Sequence, residues 1–419
     1  MLEIITIGDE LLLGQTIDTN AAFLGEQLAA AGLRVTRRTT VGDDADAITD
    51  AVTDALRRTG IVVCTGGLGP TRDDFTKPVV ARLYGRELVL HEELLAKSRA
   101  RWRQRGLVMP ESNRSQAEVP ERARILPNLL GTAPGLALED PALGLTILLP
   151  GVPHELRDLT VREVVPFLLA RTEQRAHPIC YRVVRVTGVP ESALAERIDD
   201  IVDAILPLSV AFLPNFAGVD LRITNWGLFG AAECDARFTT AEEHLRARLG
   251  SHVYAVGNEA IEAVVGRILV EKQWRLAVAE SCTGGLLGQR ITSVSGASEY
   301  FIGGFITYAD PLKLDLLGVA AETLSESGAV SEAVAREMVT GAIARTGAQA
   351  AISITGIAGP GGGTPDKPVG LVWTAVSLND VVRSRSFVFP GDRAEVRERA
   401  AQMGLALLYQ MLVMPSLVP

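Results

Sequence analysis

The stretch Ile61-Val62-Val63-Cys64-Thr65-Gly66-Gly67-Leu68-Gly69-Pro70 decides the fold. Its apolar residues run without polar alternation and stop at a threonine and two glycines. An unbroken apolar run of this length suits a strand buried on both faces, and the glycines end it in a turn. Toward the N-terminus, residues 46–58 carry helical periodicity and 33–40 read as a strand. Residues 19–31 read as a helix with Gly32 as its C-cap, and 2–7 as a strand ending at Gly8. Alternating strands and helices with continuously apolar strands predict a parallel sheet covered by helices.

Toward the C-terminus, apolar stretches at 136–138 and 145–149 add strands, and 155–171 closes this first unit as a helix. The basic run 97–105 reads as a solvated helix face, because charges two residues apart form no single stripe. The character of the chain changes near 171–178. Strands at 181–187, 208–213, 218–226 and 252–256 and helices at 191–204 and 235–249 make a small α+β unit. A third unit begins with a helix at 258–269. It continues through strands at 275–279, 301–308, 350–355 and 369–377 and helices at 286–293, 332–345 and 393–412. The expected fold class is therefore α/β, with two α/β domains (1–172 and 257–419) joined by a small α+β middle domain (173–256).

The 419 residues are 47% hydrophobic and 22% charged, as in ordinary globular protein, so wholesale disorder is excluded. No apolar run approaches the roughly 18 residues that span a membrane, and the start carries no basic leader. A net charge of −9 argues against a nucleic-acid-coating role. The four cysteines are far apart in sequence, so no C-x-x-C motif exists, and a reducing cytoplasm is the expected compartment. The five histidines all precede residue 253. Lysine is scarce: Lys77, Lys97, Lys272, Lys313 and Lys367 stand against a Lys+Arg total of 41. A lysine kept in such a background is a candidate for work that arginine cannot do.

Three loops of the first unit follow strands and should converge on one crevice. They are Gly8-Asp9-Glu10, Thr65 through Asp74, and Leu149-Pro150-Gly151-Val152-Pro153-His154-Glu155. Glycines let a backbone approach phosphate, but Asp9, Glu10, Asp73 and Asp74 have the wrong sign for it. Acid beside a Gly-rich loop therefore points to phosphates bridged by a divalent metal such as Mg²⁺, with Asp9, Asp73 and Asp74 as ligands.

In the third unit, Ala279-Glu280-Ser281-Cys282-Thr283-Gly284-Gly285 sits on a strand-to-helix turn, where a small nucleophile is exposed and nearby amides can stabilise an oxyanion. A hydroxyl needs a base, and this unit contains no histidine. The base candidates are lysine and the carboxylates. Lys313 follows Tyr308 closely, so Ser281, Lys313 and Tyr308 form a candidate Ser-Lys-Tyr site, with Glu280 as the alternative base. Cys282 competes with Ser281 as nucleophile. The run from Thr355 and Gly356 through Gly359 to Gly363, and Arg393 at the start of the last helix, suit a nucleotide phosphate.

The Thr65–Asp74 and Pro150–Glu155 runs, with Asn128 and Gly131-Thr132-Ala133-Pro134-Gly135, resemble the MoaB/MogA-type molybdopterin-binding fold and the N-terminal domain of the CinA (competence/damage-inducible) family. The AESCTGG, FITY-x₄-K, SITGIAGPGGG, KPVG and PGDR runs resemble that family's C-terminal domain, and the middle unit looks like its KH-type domain. The resemblance implies two activities. One is metal-dependent ADP-ribose pyrophosphatase activity, with Gly8, Thr65, Gly66, Gly67, Gly131, Thr132, Gly151 and Pro153 binding ADP-ribose. The other is nicotinamide mononucleotide (NMN) deamidation. There Ser281, Tyr308 and Lys313 are catalytic, Thr283, Gly284, Gly285, Thr355, Gly356, Gly359 and Arg393 bind NMN, and no cofactor is needed. It favours Ser281 over Cys282 and implies a homodimer. The middle unit has seven arginines against ten acids between 179 and 256 and no basic G-x-x-G loop, so no nucleic acid partner is expected. The rival readings are a non-enzymatic competence factor and a molybdopterin-handling protein.

Overall fold

In the computed structural model, which describes residues 1–71, 73–171 and 177–414, strand β1 (Leu2–Ile7) is buried along its whole length. It lies between β2 (Val35–Val41) and β3 (Ile61–Thr65), parallel to both. Alternate residues serve opposite faces, as the two-residue period of a strand requires. Leu2 and Ile4 pack with Leu24 and Leu28 of the helix Thr19–Ala30. Ile5 and Ile7 pack with Ile48, Val52 and Leu56 of the helix Ala45–Thr59. Asp44 caps that second helix by accepting from the amides of Asp46 and Ala47, and Gly60 ends it at φ +71°.

The sheet is mixed rather than parallel throughout. Beyond a separate ribbon of β4 (Leu88–Leu90) and β5 (Glu118–Pro120) come β6 (Arg124–Leu126), β7 (Gly135–Asp140) and β8 (Gly144–Leu149). The sheet order is β2-β1-β3-β8-β7-β6, with β7 antiparallel to both of its neighbours. The reason is local. Asp140 accepts from the amides of Ala142 and Leu143, and the few residues before Gly144 close a hairpin, too short for a crossover. The predicted single helix over 155–171 is also interrupted. Two α segments, Pro153–Leu159 and Val165–Leu169, flank a π turn at Thr160–Val164, next to Pro166, which has no amide hydrogen to continue the ladder.

Two compact units form: Met1–Cys180 with Asn225–Cys234, and Tyr181–Thr224 with Asp235–Pro419. The predicted boundary at 172 lies outside the described residues. In the second unit, β9 (Ile179–Val186), β10 (Ser209–Asn215), β11 (Gly218–Trp226) and β12 (Val253–Val256) form a four-stranded sheet ordered β10-β11-β9-β12. This small sheet shares a core with the C-terminal domain. Tyr254 joins the C-terminal apolar cluster, Tyr409 Oη donates to the Val253 carbonyl at 3.0 Å, and Gln402 Nε2 donates to the Ala217 carbonyl at 3.1 Å.

The C-terminal sheet is ordered β14-β13-β15-β16-β17, from β13 (Leu276–Glu280), β14 (Phe301–Ile306), β15 (Ala350–Gly356), β16 (Leu371–Leu378) and β17 (Val381–Val388). β13 is parallel to β14 and β15, and the last two strands run antiparallel. The helix Arg393–Val413 covers one face and Glu332–Thr346 the other. Two elements lie outside the sequence expectation: β17, reached through the two-residue hairpin Asn379-Asp380 at φ +47° and +67°, and the helix Asp310–Leu317, marked by Pro311 in its first turn and Gly318 at φ +67° beyond its end.

Candidate active sites

The C-terminal site is assembled at the carboxyl ends of three parallel strands. The Ser281 amide donates to the Ile354 carbonyl at 2.9 Å, and the Thr307 amide to the Glu280 carbonyl at 2.8 Å. These bonds align the residues that follow β13, β14 and β15, so Ser281, Tyr308 and Gly356 emerge along one sheet edge. Loops at that edge are where ligands of open α/β sheets bind.

Glu280 shapes the turn. Its carboxylate, 1% exposed, accepts from the amides of Gly285 at 3.0 Å, Leu287 at 3.0 Å and Gly288 at 2.8 Å. Its acceptors are thus committed to capping the following helix, which gives it a structural place rather than that of a base. Those amides, and that of Gly284, which donates to the Ser281 carbonyl, are likewise committed and unavailable to an oxyanion. Gly285 sits at φ +95°, and a Cβ there would come within 3.1 Å of Ile306. Arg397 fastens the turn from outside, donating to the Thr283 carbonyl at 3.1 and 2.7 Å.

Ser281 is 8% exposed. Cys282 packs in the core, and burial first of all pushes its thiol up to about 12, so it holds almost no thiolate at neutral pH. Lys313 lies inside a helix, not merely after a strand, and is 1% exposed. Its Nζ donates to the Tyr308 carbonyl at 3.2 Å and to Asp310 Oδ1 at 3.0 Å. Two of the three positions on this nitrogen are thus taken, which leaves one for a substrate or a water. Arg393 joins two loops: it donates to the Tyr308 hydroxyl at 3.0 Å and to the Gly359 carbonyl at 2.8 Å. Thr355 faces elsewhere, donating to the Ala329 carbonyl at 2.8 Å. The buried hydroxyls of Thr283 and Thr307 have no partner among the described residues. Lys272 lies exposed beside Trp274, and Lys367 donates to the Ser327 carbonyl at 2.6 Å, so neither joins this group.

In the N-terminal unit a cavity of about 140 Å³ lies at the ends of β1, β3 and β8, lined by Glu10, Asn20, Thr65, Gly66, Gly151 and Pro153 among others. Gly66 must be glycine: at φ +108° a Cβ would sit 2.2 Å from the Ile7 carbonyl oxygen. Asn20, which sequence reasoning missed, donates to the Gly151 carbonyl at 2.7 Å and leaves its own oxygen buried without a partner among the described residues. Gly8 is tied to β2 through the Val41 carbonyl, and Gly67 packs against Thr76.

A second cavity, of about 530 Å³, is lined by His91, Lys97, Arg101, Asn128, Gly131 and Thr132 among others. Asn128 organises its loop. Its oxygen accepts from the amides of Leu130 and Gly131, and its nitrogen donates to Ala133 and Glu155. Arg101 donates to the carbonyls of Leu129 and Gly131, so the basic helix is not only a solvated face. Lys97, paired with Glu93 at 2.7 Å, is exposed as expected.

The acids do not gather as the sequence suggested. Asp74 accepts from the amides of Gly69 and Thr71 and from the Thr71 hydroxyl, closing its own loop. Instead Asp43 joins Asp9: each accepts from the other's amide, at 3.2 and 3.1 Å. Burial first, then the charges of Asp9, Glu10 and Asp73, raise the Asp43 carboxyl above its ordinary value despite the amide bond. Carboxylate oxygens suit Mg²⁺, yet no three acidic, His or Cys side chains among the described residues are grouped to hold an ion as they stand. Arg72 lies outside the described residues.

Lys77, the remaining lysine, has no role assigned by its sequence neighbours. It is 8% exposed, donates to the Ser115 carbonyl, and is lowered to about 8, by burial against the opposing pull of Glu118 and Asp74. The folded value lies below the unfolded one, so the folded chain binds this proton less tightly. Stability from this residue should therefore rise as pH climbs from about 8 toward 10.5, by on the order of 2 kcal/mol. Urea unfolding across that range should show the rise in the parent and not in Lys77→Met; parallel curves would exclude it.

Three family descriptions match the chain: "CinA C-terminal domain" over 258–412, "Probable molybdopterin binding domain" over 3–170, and "Damage-inducible protein CinA KH domain" over 181–255. A "CinA-like protein" of Gemmatimonas aurantiaca is 47% identical over 405 residues, covering 96% of this chain and 94% of its own. A "Putative competence-damage inducible protein" of Caldicellulosiruptor saccharolyticus is 41% identical over 413 residues, covering 99% of both. The solved competence damage-inducible protein A of Klebsiella pneumoniae is 38% identical and covers 37% of this chain and 96% of its own, with a TM-score of 0.36. No helix among the described residues is long and apolar enough to cross a membrane.

Proposed function

The chain belongs to the CinA family, and from that premise we propose that it is a bifunctional hydrolase of pyridine-nucleotide salvage. The C-terminal site deamidates NMN to nicotinate mononucleotide and ammonia. The N-terminal site splits ADP-ribose into AMP and ribose 5-phosphate with the help of a divalent metal. The observation that carries the reading is the chain of contacts from buried Lys313 through Tyr308 and Arg393 to Gly359, at the sheet edge where the turn of Ser281 also emerges, in a domain (257–419) without histidine.

Ser281 attacks the carboxamide carbon or orients the water that does. Lys313, reacting as the neutral amine with its two hydrogens given to the Tyr308 carbonyl and Asp310, takes up the proton on its lone pair, and Tyr308 holds the lysine through its carbonyl. In the N-terminal unit Gly66 and Gly151 admit the backbone close to the pyrophosphate, and Asn20 offers its free oxygen to a ribose hydroxyl. A divalent cation would supply charge neutralisation of the pyrophosphate, and Asp9 and Asp43 are the carboxylates that lie together near this site to receive it. The test is incubation of the purified chain with NMN and with ADP-ribose, with and without metal, and identification of products. ADP-ribose cleavage should vanish in EDTA while NMN turnover persists.

Arg393→Ala should raise KM for NMN about 10–100-fold, with a smaller effect on nicotinamide riboside, which has no phosphate. Equal losses on both substrates would make Arg393 a loop fastener only. The names of the relatives keep a competence role in view, and the molybdopterin-domain match a pterin role. Salt-dependent DNA binding would favour the first, and copurified pterin the second.

A further inference from the structure

The four cysteines are dispersed in sequence, but the fold brings two of them together. Cys180, at the start of β9, and Cys234, in the helix Ala231–Leu249, have sulfurs 2.8 Å apart across 54 residues of chain. Closing that gap to a covalent bond of about 2.05 Å asks for under an ångström of movement. A shared zinc does not fit: two thiolates on one tetrahedral ion at about 2.3 Å stand roughly 3.8 Å apart. The two partners differ in access. Cys180 is partly exposed and Cys234 is 2% exposed. Asn225, fully buried and anchored to the Phe229 carbonyl, also points its amide nitrogen at the Cys180 sulfur from 3.6 Å. The other two cysteines contrast with this pair. Cys64 and Cys282 are buried in apolar cores, and burial pushes both thiols up to about 12.

We propose that Cys180 and Cys234 are a peroxide-oxidisable pair, with Cys180 as the reacting thiol and Cys234 as the resolving one. The Cys180 thiolate attacks hydrogen peroxide. A sulfur–oxygen bond forms, the oxygen–oxygen bond breaks, and hydroxide leaves to become water with the thiol's proton. The resulting sulfenic acid is attacked by the Cys234 sulfur. The disulfide forms, the sulfur–oxygen bond breaks, and the hydroxyl leaves as water with the Cys234 proton. Two thiols and one peroxide thus give one disulfide and two waters. The product staples β9 to the long helix of the middle domain, closing a loop that begins where the first domain ends.

The test treats the full-length chain with hydrogen peroxide, then counts thiols after denaturation and maps linked peptides by mass spectrometry. The expected result is loss of two of the four thiols as an intramolecular Cys180–Cys234 peptide pair, restored by dithiothreitol. Cys180→Ser should keep its remaining three thiols under the same treatment. Cys234→Ser should instead carry a sulfenic acid at Cys180, trapped by dimedone. Four intact thiols in the parent, loss at Cys64 or Cys282 instead, or equal thiol loss in Cys180→Ser would each overturn the proposal.

Discussion

Ser281→Ala and Lys313→Met should each lower NMN turnover by about 10³-fold or more, with the fold retained. Ser281 leaves β13 at the edge where β14 and β15 also end, and Lys313 is buried one strand away with its nitrogen fixed by the Tyr308 carbonyl and Asp310. Methionine matches the volume of the buried lysine stem, so this change removes the ammonium without opening a cavity. Lys313→Arg keeps the charge but enlarges a side chain that is 1% exposed, and it too should be inactive. Cys282→Ala should keep most of the activity, because a thiol pushed up to about 12 is no nucleophile at neutral pH. Steady-state kinetics on the four variants settles the assignment. Wild-type kcat in Lys313→Met would remove lysine from the chemistry. Collapse in Cys282→Ala would move the nucleophile by one residue.

Glu280→Ala should destabilise the protein by about 3–5 kcal/mol and abolish NMN turnover at the same time. The buried carboxylate is the common acceptor for the amides of Gly285, Leu287 and Gly288. Removing it strands three donors where water has little access, and the turn bearing Ser281 loses its closure. Glu280→Gln should cost less in stability, since one acceptor oxygen remains, yet its amide nitrogen now confronts a backbone N–H. Urea unfolding followed by tryptophan fluorescence gives the first quantity and ammonia release the second. A Glu280→Ala protein as stable as the parent would show that the turn is held by Arg397 and its own glycines instead.

Elements with strong local signals were legible from the residues that make them. The apolar runs at β3 and β13, and the one at β1 broken only by Glu3 and Thr6, announced strands, and each is buried along nearly its whole length. The helix Glu191–Ala204 follows the predicted bounds because its apolar residues recur at helical spacing. Strand direction was less legible. The apolar stretches of β7 and β8 read like that of β3, but their short connection makes them antiparallel. Arg101 looked like one charge among five on a wet helix, and nothing local says that the loop at 129–131 passes within its reach.

By itself the sequence determined the fold class, the order of the units, the glycine loops after the strands, and the exclusion of a histidine-based site at the C-terminal end. Periodicity, turn chemistry and composition act over a few residues, so they can be read from a few residues. Only the tertiary structure decided who meets whom. It turned Glu280 from a candidate base into a helix cap, exchanged Asp74 for Asp43 beside Asp9, buried Lys313 against Tyr308, and set Cys180 beside Cys234. Each of these depends on contacts between segments distant in sequence or on which hydrogen bonds a side chain has already made. Packing fixes both, and no local pattern encodes them.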